Sequence, residues 1–360
     1  MKKKHVFDKN ASLMLKGMAI ILLVFHHGFR LSDIYKGFEV SFFPFNETNI
    51  INLAQASKIC VSMFVFVSGY GLYLDYAKKN VTAQRWSLKR FLKIFSKYWF
   101  VWFLVAVIYQ LINGQTGRLY FADGIDKGVV YCLIDMFGFS YIFHTPTLNS
   151  VWWYMGAALT FILSVPFVYK CRHNLLLLTA CVLVFPRILL GHDGAVVYGS
   201  GMSAFTFFGE FLIGCAAAEY GWLNKYLKYE PNSRIKKVLL LCLELWGIIF
   251  FYKLYHHMDR SVFWEIHYIF LPTLCILFFT KYVFAIRYIQ KPLIILGMHS
   301  MNMFLIHSIL QRHLKPYIFS CGHFVLSILV LLLLSMLFSI AINWLINITG
   351  YSKFITKVLE

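Results

Sequence analysis

The sequence predicts an all-α fold, a polytopic membrane helical bundle with about ten transmembrane helices, and three observations lead to this class. Of the 360 residues, 59% are hydrophobic and only 14% are charged, whereas a soluble domain carries about 25% charged residues. Apolar runs of 17 to 27 residues recur along the whole chain, which is the length that a membrane-spanning helix needs. Basic residues cluster in alternate connections between these runs, as the positive-inside rule requires.

The candidate spans cover residues 13–30, 58–76, 94–112, 151–169, 174–190, 203–221, 237–255, 263–281, 292–312 and 323–349. With the N-terminus in the cytoplasm, 24 of the 34 Lys and Arg residues fall on the cytoplasmic side. The net charge of +18 therefore mostly encodes topology, which argues against nucleic-acid binding. We expect both termini in the cytoplasm, one membrane domain over residues 1–360 in contact with membrane lipid, and no separate soluble domain.

Two segments need a separate interpretation. The N-terminus is basic and then apolar, like a signal peptide, but it has no small-x-small cleavage site and its apolar run continues to His26 and His27. We therefore interpret it as a retained first helix.

Residues 129–143 are apolar but short and contain Asp135. We expect this segment to be interfacial or re-entrant within a long outer connection, 113–150.

The first span contains polar residues at a helical spacing. Lys16 and His27 are 11 residues apart, which at 100° per residue places both on one helix face, roughly 16 Å apart along the axis. His26 points about 100° away. Ionisable groups inside a membrane are costly, so this pattern predicts a polar cavity. The alternative is that Lys16 snorkels to the inner headgroups and His27 lies at the outer interface.

Other polar positions can share such a cavity. Arg90 and Lys93 lie on one side of a helix that enters the membrane; they form either a topology signal or a phosphate-binding rim. Ser300 and His307 are seven residues apart and share a face of the ninth span. The eight cysteines include no C-x-x-C pair, and most lie in apolar runs. We therefore expect neither a disulfide framework nor a metal site.

Six sequence blocks, in order, resemble the acyltransferase 3 family of integral membrane acyltransferases. The family has an Arg, ten residues and a His in its first helix, and a basic R-x-x-R motif in its third; this chain has Lys instead of one Arg in each motif. The matching blocks are Lys16-x(10)-His27, Ser68-Gly69-Tyr70, Arg90-Phe-Leu-Lys93, Trp153-Tyr154 to Pro166, "FFGEFLIG" and "LGMHSMNMFLIHS", which contains Ser300 and His307.

The resemblance implies a membrane O-acyltransferase. It would move an acyl group, in the first place acetyl, from cytoplasmic acyl-CoA to a hydroxyl of a cell-surface glycan or lipid-linked sugar, in a bacterial plasma membrane. It implies a catalytic role for His27 and Lys16 and donor binding by Arg90 and Lys93. Ser68, Tyr70, Trp153, Tyr154, Ser300 and His307 would line the cavity, with no bound cofactor and no metal.

An imidazole titrates near neutral pH, so His27 can accept a hydroxyl proton or carry the acyl group itself, and both roles stay open. Two other functions also remain open for this fold. One is a transporter-like module for a small solute or amino acid, and the other is a structural or export partner in a polysaccharide synthesis complex. Release of coenzyme A separates a transferase from both alternatives.

Overall fold

The computed structural model describes residues 6–198, 204–259 and 262–359, and within these ranges it contains helices but no β-strand. A long helix occupies each predicted span position. In chain order these first to tenth helices are Lys9–Phe29, Ile59–Ala77, Ala83–Asn113, Trp153–Lys170, Leu175–Tyr198, Ala204–Tyr220, Arg234–His257, Ile266–Val283, Arg287–His313 and Phe324–Ile348. The eighth begins and ends in π-helical turns, Ile266–Phe270 and Phe279–Val283.

Eight of these helices are long and apolar enough to cross a membrane. The other two are the fifth and the sixth, which border residues outside the described ranges. The predicted class, a polytopic helical membrane protein, is confirmed. The count of ten spans and the cytoplasmic position of both termini stay predictions.

Local sequence signals set several helix ends. The side chain of Asp8 accepts a hydrogen bond from the amide of Ala11 and so caps the first helix, and Thr82 caps the third helix through the amide of Arg85. Both satisfy amide groups that have no partner within the helix. The third helix stops at Gly114, whose φ of 66° is left-handed and favours glycine.

The first and second helices form the centre of the bundle. Of their apolar windows, 61% and 67% are buried, against 11% for the seventh helix and 28% for the tenth. A helix that is apolar all round but mostly uncovered by protein is suited to face lipid. Most of the first helix is therefore surrounded by other helices and not by lipid, and of its polar residues His26 is buried while Lys16 and His27 are half-buried.

The first and ninth helices approach so closely that their backbones touch. A side chain at Gly17 would collide with the carbonyl of Leu293, and one at Gly297 would collide with the carbonyl of Leu13. Glycine at such positions lets helix backbones come together in a membrane. Further along, the amide of Gln311 donates to the carbonyl of His27 at 2.8 Å. The two helices therefore run side by side in the same direction.

A second glycine pair joins the second helix to the sixth. A side chain at Gly69 would meet the carbonyl of Phe211, and one at Gly214 would meet the carbonyl of Phe66. These glycines belong to the Ser68-Gly69-Tyr70 and "FFGEFLIG" blocks. The two sequence blocks are thus the two sides of one close helix contact.

The connection between the third and fourth helices is organised around the buried side chain of Asp135. It contains the helices Gln115–Tyr120, Ile125–Met136 and Ser140–Phe143, each too short to cross a membrane. The carboxylate of Asp135 is 1% exposed and accepts hydrogen bonds from Trp102 (2.9 Å), Tyr120 (2.5 Å), Ser140 (2.8 Å) and the amide of Leu148 (3.4 Å). This buried carboxylate fastens the segment to the third helix, in agreement with a piece that does not cross.

Candidate active site

A cavity of about 300 Å³ opens between the first, second, third, fourth and ninth helices. Its lining brings together six of the residues that the sequence singled out: Lys16, Ser68, Arg90, Lys93, Tyr154 and Ser300. Because Lys16, Arg90 and Lys93 fall in cytoplasmic segments of the predicted topology, we call this space the inner cavity.

Among the described residues that line the inner cavity, none is acidic and four are cationic: Lys16, Arg90, Lys93 and Lys97. Lys97 was not among the predicted site residues. It follows Arg90 and Lys93 at a spacing of three and then four residues, so one helix face carries all three. This spacing in the sequence could have identified Lys97 as a site residue. The position of Lys16 on a different helix, facing the same space, depends on the tertiary packing.

Arg90 differs from the three lysines in having an anionic partner. Its Nε donates to Asp75 Oδ2 at 2.7 Å, its Nη2 forms an ion pair with Asp75 Oδ1, and Trp86 Nε1 donates to the same carboxylate at 2.7 Å. One edge of the guanidinium is therefore fixed and the other remains free. In the part of the chain that the structure describes, Lys16, Lys93 and Lys97 form no ion pair. The cavity therefore carries an excess of positive charge, which suits an anionic ligand.

Three of the predicted cavity residues, Tyr70, Trp153 and His307, do not line the inner cavity. The hydroxyl of Tyr70 donates to the carbonyl of Phe7 at 3.3 Å, and its ring packs edge-on against the Phe7 ring. Tyr70 is two residues from Ser68, about 200° around the helix, so both cannot face one space. Trp153 lines a separate cavity of about 160 Å³ beside Asp135 and Ser140. Its neighbour Tyr154 points into the inner cavity instead.

His27 and His307 lie against each other beyond the inner cavity. Their ring centroids are 4.9 Å apart. A series of aromatic rings leads to them from the cavity lining: Tyr154 is 5.4 Å from Phe304, and Phe304 is 6.3 Å from His307, between centroids. Lys16 lines the inner cavity, whereas His27, which the helical spacing placed on the same face, lies beside His307 at the far end of this series of rings.

His26 has a different role from His27. It is 5% exposed, and its Nδ1 lies 2.9 Å from the carbonyl oxygen of Ala54, in the helix that precedes the second span. His27 is half-buried, and within the described ranges neither of its ring nitrogens has a hydrogen-bond partner. The ring of His27 is therefore available to a ligand, whereas that of His26 connects two helices.

The segment that begins the fourth helix covers the histidine pair. Asn149 Nδ2 and Trp152 Nε1 both donate to the carbonyl of Leu305, at 3.2 and 2.9 Å, and Ser308 donates to Asn149 Oδ1 at 2.6 Å. Leu305 and Ser308 flank His307 on the ninth helix. These bonds hold residues 149–152 over the end of the site that is remote from the four cations.

The chain was compared with known protein families, curated proteins and solved structures. A family model described as an acyltransferase domain, that of the acyltransferase 3 family, matches residues 13–346, which is nearly the whole chain and includes every residue of the site. No curated protein and no solved structure gives a significant match. The chain belongs to the acyltransferase 3 family and is a multi-pass membrane acyltransferase.

Proposed function

We propose that the protein transfers an acyl group, in the first instance acetyl, from acyl-CoA to a hydroxyl of a glycan or lipid-linked sugar at the bacterial plasma membrane. The observation that carries this proposal is the inner cavity, where Lys16, Arg90, Lys93 and Lys97 face one space. Phosphate groups are bound by such clusters through charge-assisted hydrogen bonds. Coenzyme A carries phosphates at one end and the thioester at the other.

The donor would lie with its phosphates on the four cations and its thioester directed along the rings of Tyr154 and Phe304. That path ends at His27 and His307. Burial of the path limits contact with bulk water, and this matters because hydrolysis competes with transfer. Lys16 would bind the donor at the start of the path, so its role is electrostatic.

At His27 the acceptor oxygen would attack the thioester carbon while its proton passes to the imidazole. The new bond is an ester C–O bond, the C–S bond breaks, and the thiolate receives a proton to leave as a thiol. A general base in such a step typically contributes 10²–10⁴-fold to the rate.

Thiol release tests the proposal directly. Purified protein in detergent is incubated with acetyl-CoA and a panel of candidate glycans and lipid-linked sugars, and free thiol is measured with and without each acceptor. We expect release that depends on an acceptor and an acylated product of matching amount. Acceptor-independent transport of a solute into vesicles, without thiol release, would favour a transporter-like module. The absence of both would favour a structural or export role.

A further inference from the structure

His307 has one ring nitrogen fixed and the other free. Its Nδ1 lies 2.8 Å from the carbonyl oxygen of Phe304 and 3.2 Å from that of Met303. A carbonyl oxygen only accepts hydrogen bonds, so Nδ1 carries the proton. In the neutral ring, Nε2 then has a lone pair and acts as an acceptor.

That lone pair has no partner in the described part of the chain. His307 is 0% exposed, and its Nε2 is a buried atom without a hydrogen bond. Buried polar atoms are almost always hydrogen-bonded, so an exception needs an explanation. Two other histidines, His26 and His299, use Nδ1 to bond a different helix, through the carbonyl of Ala54 and Ser339 Oγ, both at 2.9 Å, whereas Nδ1 of His307 bonds its own helix.

The polar group next to His307 is the ring of His27. The titratable groups that interact electrostatically with His27 are His307, His26, Arg30 and Lys58, and no carboxylate is among them. A catalytic histidine is usually oriented by a group that accepts the proton of its second nitrogen. For His27, the nitrogen that can accept this proton is Nε2 of His307. The two ring centroids are 4.9 Å apart, and the proton transfer proposed below requires the His27 ring to turn one nitrogen towards Nε2 of His307.

We propose that His307 is the positioning residue and proton acceptor for His27. The inference rests on the proposed function. As the acceptor hydroxyl attacks the thioester, His27 takes the hydroxyl proton on one nitrogen and passes the proton of its other nitrogen to Nε2 of His307. His27 ends neutral and His307 ends as an imidazolium. His307 then returns its proton through His27 to the thiolate, and both rings regain their starting state.

This arrangement also explains why Nδ1 of His307 is bonded to its own helix. The bond to the Phe304 carbonyl fixes the ring orientation, keeps the lone pair on Nε2 and directs it away from the helix backbone. Because Nδ1 bonds within its own helix, His307 forms no hydrogen bond to another helix in the described part of the chain, and its buried Nε2 is left to accept a proton.

Replacement of His307 by Gln separates these roles. The amide can still donate to the Phe304 carbonyl, but it cannot take up a proton. We expect kcat for acyl transfer to fall on the order of 10²-fold, with an unchanged KM for acetyl-CoA. The pH–rate profile should differ from that of the wild type. His299→Gln, eight residues earlier on the same helix, is the matched control and should keep the wild-type kcat and pH–rate profile. Wild-type kcat in His307→Gln, or an equal loss in His299→Gln, would overturn the proposal.

A second measurement does not depend on acyl transfer. In protein labelled with ¹⁵N only at histidine, the signals of His27 and His307 are assigned by their absence in the corresponding variants. Coupled groups titrate together, so we expect the titration curve of His27 to shift in His307→Gln and to stay unchanged in His299→Gln. If the titration curve of His27 is unchanged in His307→Gln, the two histidines are not coupled and the proposal is wrong. Absence of thiol release in the wild type would instead reject the proposed function and leave this result standing.

Discussion

The imidazole rings of His27 and His307 lie 4.9 Å apart, although they come from opposite ends of the chain. Their approach depends on the first and ninth helices, whose backbones touch at Gly17 and Gly297 and which are joined by Gln311 at the level of His27. Among the described titratable groups that interact with His27, none is a carboxylate. The site therefore contains two imidazoles, one half-buried and one fully buried, and the ring of Phe304 lies between His307 and the cavity that carries the four cations.

The cations of the inner cavity should act mainly in donor binding. Arg90→Ala, Lys93→Ala and Lys97→Ala should each raise the KM for acyl-CoA more than they lower kcat, because phosphate contacts are equal in the ground and transition states. A lost charge-assisted contact costs about 1.5–3 kcal/mol. Lys89→Ala is the control, since Lys89 does not line the cavity. If steady-state kinetics show an unchanged KM in all three variants, these basic residues do not bind the donor and only specify the membrane topology.

Close packing of the second and sixth helices should depend on Gly69 and not on Gly71. Gly69→Ala places a methyl group against the carbonyl of Phe211, whereas the same change at Gly71 meets open space. Overpacking costs about 1–3 kcal/mol, and alanine is favoured over glycine within a helix by about 0.5–1 kcal/mol. Thermal unfolding in detergent should therefore show a lower Tm for Gly69→Ala and an equal or higher Tm for Gly71→Ala. The opposite order would mean that the two helices do not touch there.

Asp135 should stabilise the outer connection. Asp135→Ala leaves the donors of Trp102, Tyr120 and Ser140 without their acceptor. Since an unsatisfied buried donor costs about 1–3 kcal/mol, we expect a clearly lower Tm and faster proteolysis within 113–150. The control is Asp126→Ala, because Asp126 is exposed on the same short helix. If the two variants unfold at the same temperature, the carboxylate does not hold this segment.

Topology gives an independent test of the arrangement. In a variant without native cysteines, a cysteine at Asp123 should react with an impermeant thiol reagent in intact cells, because 113–150 is predicted to lie outside. A cysteine at Tyr229, which is exposed in the connection after the sixth helix, should react only after permeabilisation. The reverse labelling pattern would invert the predicted orientation, and with it the assignment of the inner cavity to the cytoplasm.

Local periodicity accounts for much of this structure. Apolar run lengths located all ten long helices, and the spacing of 11 residues placed Lys16 and His27 on one face. The family motifs did not predict which way each side chain points, because neighbouring residues of one motif lie on different sides of the helix. Tyr70 packs on Phe7 and Trp153 on the outer segment, whereas Ser68 and Tyr154 face the cavity.

The relationships between distant helices could not be read from one sequence. No local pattern shows that the first helix contacts the ninth, so the pairing of His27 with His307 required the fold. The same holds for the bonds from Asn149 and Trp152 to Leu305. The ion pair of Arg90 with Asp75 could not be predicted from the sequence either, because it joins the end of the second helix to the third helix.

Acyl transfer by His27→Gln and His26→Gln, measured side by side as thiol release with acetyl-CoA and acceptor, tests the central claim most directly. The two changes are identical and neighbouring, and glutamine at either position can still donate a hydrogen bond. We expect His27→Gln to lose on the order of 10²–10⁴-fold in kcat with an unchanged Tm. His26→Gln should retain most of its activity, because His26 joins helices through Ala54. An inactive His26→Gln beside an active His27→Gln, or full activity in both, would contradict the account.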